Sequence, residues 1–150
     1  MILGLRFSNK DFSYAVLSGL KDKPTVEHEG ANKIPKNFSK PRALSWLVQE
    51  IEEIIKRHNI TKIVMRGFEG QVRTRTTYEE RVELETAVYI AASKLGINAV
   101  FKKVRSTIAK DLGLKGKAHY LETVDTSSIS GFDERSDIKK DAIFAAWSEL

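Results

Sequence analysis

A chain of 150 residues, 41% hydrophobic and 30% charged, is long enough for one buried core and short for two, so a single domain over 1–150 is expected. The absence of cysteine excludes disulfides and thiolate metal sites, and no apolar run approaches the roughly 20 residues that span a bilayer. The formal net charge is +5, and all of that excess lies between Arg66 and Lys117, where eleven Lys or Arg face six acids.

Ile2 to Phe7 and Phe12 to Leu17 read as two strands of a hairpin, joined by the turn-forming Ser8-Asn9-Lys10-Asp11. After Ser18-Gly19 a third strand is expected between Thr25 and Ile34. Pro35 and Pro41 bracket a loop. A helix follows, because Leu44, Leu47, Val48, Ile51, Ile54 and Ile55 recur at helical spacing. His58-Asn59 closes it.

Lys62 to Arg66 is a short strand entering a loop with Gly67, Gly70, Arg73 and Arg75. Thr77 and Glu80 have capping-box spacing, which predicts a second helix from Thr77 to Leu95, stopped by Gly96. Ile97 to Phe101 reads as a strand, Ser106 to Leu112 as a short helix, and Asp137 onward as the last helix. Residues 113–136 show little periodicity and are expected as a long loop. The order is βββαβαβα. It predicts an α/β fold with a mixed five-stranded sheet, the first strand central beside the Ile63 strand, and helices on both faces.

The basic segment suits a polyanion, since phosphate neutralisation supplies most non-specific affinity for nucleic acid; a merely solvated basic face fits the charge equally well. Gly113-Leu-Lys-Gly-Lys117 lacks P-loop spacing and its terminal Ser or Thr. His28, His58 and His119 are isolated from one another in sequence and have no metal-ligand or nucleophile-elbow spacing. An N-terminus without a basic n-region gives no secretion signal, and a cytoplasmic location away from membranes is expected.

Three segments carry a family resemblance. Ile2-Leu3-Gly4-Leu5-Arg6 looks like an apolar-Gly-apolar-Asp start, and Asp141-Ala142-Ile143-Phe144-Ala145-Ala146 looks like an Asp-Ala-hydrophobic-Ala-Ala closing helix. Val104 to Lys110 followed by Gly113 to Ala118 is similar to a basic helix and glycine-rich turn that face DNA. In this order they resemble the RNase H-like superfamily, and within it the RuvC-type resolvases and the related pre-16S rRNA nucleases. Leu84-Glu85-Thr86-Ala87-Val88 is in addition similar to a small bacterial RNase H-like family.

The resemblance implies carboxylates that hold one or two Mg²⁺ or Mn²⁺ ions for phosphodiester hydrolysis. The first-strand aspartate position, however, holds Arg6, and the glutamate position at the end of the fourth strand holds Arg66. Guanidiniums repel a cation. Asp141 still matches, with Asp137 one helical turn before it, where it also suits a helix N-terminus. Glu85 is either a semi-buried acid needing Arg6 or Arg66 as partner, or an acid on the polar edge of its helix with Arg81. Glu69, just past Arg66, is a candidate displaced ligand.

The leading expectation is a nucleic-acid-binding protein whose metal site is degenerate, with DNA or RNA contacted by Arg6, Arg66, Arg73, Arg75, Lys102, Lys103, Arg105, Lys110 and Lys117. Arg6 and Arg66 are expected within reach of Asp141 or Glu85. A rival is a divergent Mg- or Mn-dependent nuclease using Asp137 and Asp141 with Glu69 or Glu85. A third reading is a protein-interaction module on the same fold. Assembly stays open between monomer and homodimer.

Overall fold

The computed structural model describes residues 1–68 and 75–150. Strands β1 (Ile2–Phe7), β2 (Asp11–Leu20) and β3 (Lys23–Lys33) form an antiparallel meander. Helix α1 (Lys40–Arg57) leads to β4 (Lys62–Arg66), α2 (Arg75–Lys94) to β5 (Val100–Lys103), and α3 (Arg105–Asp111) and a 3₁₀ helix (Ala118–Thr123) precede α4 (Asp137–Trp147). The sheet order is β3-β2-β1-β4-β5, with β1 parallel to β4 and β4 parallel to β5. The mixed five-stranded sheet with β1 central is therefore as its alternating strands and crossovers predicted.

Period-two alternation divides β1 between two cores. Leu3, Leu5 and Phe7 face α1 and α2, together with Ile63 and Met65 of β4. Ile2 joins Val64, α3 and α4 on the other face. Helix α1 buries Leu47, Val48, Ile51, Ile54 and Ile55, the stripe visible in sequence, while Pro41 sits in its first turn, where no backbone donor is needed.

Several details differ from expectation: β2 runs on to Leu20 and β3 starts at Lys23. Helix α2 begins at Arg75, which places Thr77 inside its first turn rather than at the cap. Strand β5 runs Val100–Lys103 instead of ending at Phe101. Residues 113–136 contain the 3₁₀ helix and bury Leu121, Ile129 and Phe132 against α4. Those three apolar positions follow neither a helical nor a strand period, so their burial is set by the surface of α4.

One glycine fixes the distance between sheet and helix. A Cβ on Gly4 would lie 1.9 Å from the carbonyl oxygen of Ala142 and 2.8 Å from the amide nitrogen of Ala146, so α4 packs with its backbone directly on β1. Gly4→Ala is expected to destabilise the fold by about 3 kcal/mol, the upper end for overpacking, because backbone must move. A urea denaturation midpoint within error of wild type would refute this close packing.

At the opposite end of α1, His58 stacks on His28 with centroids 4.7 Å apart, and the His28 ring contacts the Tyr14 hydroxyl at 3.1 Å. Burial, then His28 and Arg57, lower the His58 pKa below its usual 6.5. A base whose pKa is depressed by folding binds protons more readily when unfolded, so stability falls as pH drops below about 6.5. His58→Leu should flatten that portion of a pH series of urea midpoints. A slope unchanged between pH 7 and 5 in the variant would assign the effect elsewhere.

Candidate nucleic-acid interface

Strands β1, β4 and β5 run the same way, so Phe7, Arg66 and Lys103 end at one edge of the sheet. From β1 the chain turns toward β2, and from β4 it crosses toward β5, which makes the gap beyond their carboxyl ends a topological switch point. Alternation on β1 and β4 puts Arg6 and Arg66 on the α4 side of this point. The close contact at Gly4 brings the first turns of α4 over them.

Asp141 stands between the two guanidiniums, with Oδ2 at 3.3 Å from Arg6 Nε and 3.7 Å from Arg66 Nε. Both distances exceed those of a charge-assisted hydrogen bond. Arg6 Nη1 also donates to the Phe7 carbonyl at 2.9 Å, and Arg66 Nη1 donates to the carbonyl of Gly67. The expected approach of Arg6 and Arg66 to Asp141 is thus present. Glu85 is not their partner.

Glu85 is only 2% exposed and pairs with Arg81 Nε at 3.1 Å and with Lys102. It is a buried acid rather than one on the polar edge of α2. Arg81, 4% exposed, donates through Nη2 to the Arg66 carbonyl at 2.6 Å. Burial, with Arg6 and Arg66 also acting on it, brings the Arg81 pKa down to about 10, so it stays charged at neutral pH. The sequence places Arg81 with Glu85 on the polar edge of the helix; the structure keeps the pair and buries it. Its signal is the i, i+4 spacing to Glu85 on a helix stripe that includes Leu84 and Val88.

Asp137 is exposed in the first turn of α4. With Asp141, Arg105, Lys140, Asp133 and Phe132 it lines a cavity of about 330 Å³. The Arg105 Nε is buried there without a hydrogen-bond partner among the described residues. Lys110 and Lys117 are exposed, and Arg75 is exposed and paired with Glu79 at 2.7 Å. Glu69 and Arg73 lie outside the described residues.

Lys102 and Lys103 correct the expectation that both stand free at a strand end. Lys103 is 9% exposed and pairs with Asp111 at 2.7 Å and with Glu149, while Ser148 Oγ lies at 3.2 Å. Two acids and a hydroxyl occupy its ammonium, so it is a structural cation. Lys102 is partly exposed but is tied to Glu85.

No group of three or more His, Cys, Asp or Glu among the described residues could hold a metal ion. The donor chemistry gives the reason: Asp141 faces two guanidiniums and Glu85 faces an arginine and a lysine, and cations at those distances oppose a divalent ion. The described residues do not fit Mg²⁺ or Mn²⁺. Two guanidiniums beside one carboxylate suit an anion better than a cation.

No family model and no curated protein matches the chain. Solved structures do. RuvC of Thermus thermophilus, in complex with a Holliday junction substrate, superposes with a TM-score of 0.73 at 14% identity, over 98% of this chain and 90% of that one. The fold is RuvC-type and RNase H-like. The yeast mitochondrial Holliday junction resolvase superposes with a TM-score of 0.61 at 14% identity, covering 98% of this chain and 77% of its own. The Fowlpox virus resolvase, in complex with Holliday junction DNA, gives 0.55 at 10% identity over 100% and 98%. In this RuvC-type fold Arg6, Arg66 and Asp141 meet at the carboxyl ends of the two central strands.

Proposed function

We propose that this protein binds nucleic acid at the carboxyl edge of its sheet and does not hydrolyse it, its metal site being degenerate. The observation that carries this reading is the guanidinium pair of Arg6 and Arg66 around Asp141, at a switch point where cations favour phosphate. Arg105, with its unpartnered Nε, and exposed Lys110 and Lys117 extend the basic surface. The neighbours bound to Holliday junctions make branched DNA the first ligand to try. The nuclease reading draws less support, because Glu85 is engaged by Arg81 and Lys102 and Asp141 by two arginines. A cytoplasmic site of action belongs to the same proposal.

Fluorescence anisotropy with labelled junction, duplex and single-stranded oligonucleotides tests it. Binding should weaken steeply with salt, each neutralised phosphate adding about 0.9 to the logarithmic slope on duplex DNA and about 0.7 on single strands. No binding to any of the three at micromolar protein would overturn the reading and leave a protein partner as the alternative.

A further inference from the structure

The basic surface does not stop at the arginines. Strand β3 runs parallel to β1, since each is antiparallel to β2, so the end of β3 and the β1–β2 turn lie at the same edge of the sheet as Arg6 and Arg66. Lys10 stands in that turn, Lys33 ends β3, and Lys36 lies in the following loop. All three are exposed, and among the described residues none has an acid within ion-pair distance. They line an open groove of about 970 Å³ whose apolar wall is Ile34, Pro35 and Phe38.

The groove is held in shape by backbone. The Ile34 amide donates to the Lys10 carbonyl at 2.9 Å, the Ser8 amide to the Asp11 carbonyl at 2.9 Å, and the backbone of Lys33 stands opposite that of Asp11 in the β2–β3 register. Of the two acids in the wall, Asp11 accepts from the Ser8 hydroxyl, and Glu80 lies on the α2 side, in the same cavity lining as Lys40, whose ion pair is with Glu83. The Arg42 guanidinium stacks on the Phe38 ring at 4.0 Å, a cation beside an apolar plane. Three unpaired ammoniums over an apolar wall match a phosphodiester backbone with its sugars, because phosphates take the cations and sugars or bases take the wall.

We propose that this groove carries the backbone of a nucleic-acid arm leaving the arginine centre, with Lys10, Lys33 and Lys36 on its phosphates. The inference rests on the nucleic-acid reading above. It adds a second contact surface on the far side of β1, reached through the β1–β2 turn.

The test compares salt dependence of duplex and junction binding for wild type, for Lys10→Ala/Lys33→Ala/Lys36→Ala, and for Lys23→Ala/Lys56→Ala/Arg57→Ala. The last variant removes the same charge from exposed positions at the opposite edge of the sheet. A groove that takes three phosphates lowers the logarithmic salt slope on duplex DNA by about 2.7 in the first variant, at about 0.9 per contact, and leaves the second at the wild-type value. Equal slopes in all three proteins, or equal losses in both variants, would overturn the groove while leaving the arginine centre standing. Failure of wild type itself to bind would overturn both. Thermal melts of the two variants should match wild type, as the positions are exposed.

Discussion

Replacing Glu85 by alanine is expected to destabilise the fold by about 3–5 kcal/mol, the range for removing one partner of a buried ion pair. Its side chain is 2% exposed and that of Arg81 is 5% exposed, so the stranded guanidinium has no access to bulk water. Lys102, at 35% exposure, can turn outward and adds little. For a domain of this size the loss corresponds to a melting temperature lower by roughly 6–20 °C. Glu85→Ala combined with Arg81→Met should recover part of the loss, although the bond to the Arg66 carbonyl goes with the arginine. A Glu85→Ala protein melting within about 2 °C of wild type would show that Arg81 finds another anion.

The second large effect concerns the arginines. Arg6→Asp with Arg66→Glu places two new carboxylates beside Asp141, and three like charges at such distances repel. The variant should lose its affinity for nucleic acid and much of its stability in EDTA. A divalent ion bound by the new carboxylates restores stability by RT ln(1 + [L]/Kd), about 2.7 kcal/mol at a hundredfold excess over Kd. Manganese should therefore raise the melting temperature of the variant and leave wild type unchanged. A wild-type shift equal to that of the variant would contradict the assignment of Arg6 and Arg66.

Arg6 and Arg66 were legible because each stands at or one residue before the end of a strand whose period and neighbours are plain, and their place beside Asp141 follows from strand order. The burial of Glu85 with Arg81 and its second partner, Lys102, were not, because they depend on how α2 leans over the end of β4 and β5. Charged positions at the end of β5 hid its true span, and with it the burial of Lys103 against Asp111 and Glu149, which come from α3 and the residues just after α4. Lys10, Lys33 and Lys36 escaped notice for a related reason: outside the 66–117 segment their charge is cancelled by acids elsewhere in the chain, and only the parallel alignment of β3 with β1 sets them at the edge occupied by the arginines.

The central claim is that arginines at the switch point bind phosphate where a metal would otherwise be required. The most direct measurement is one incubation of wild type with a labelled four-way junction, in Mg²⁺, Mn²⁺ or EDTA, read by anisotropy and by a denaturing gel. The account predicts equal affinity in EDTA and in either metal once ionic strength is matched, with every strand recovered intact. Metal-dependent affinity, or cleaved strands in Mg²⁺ or Mn²⁺ that are absent in EDTA, would contradict it.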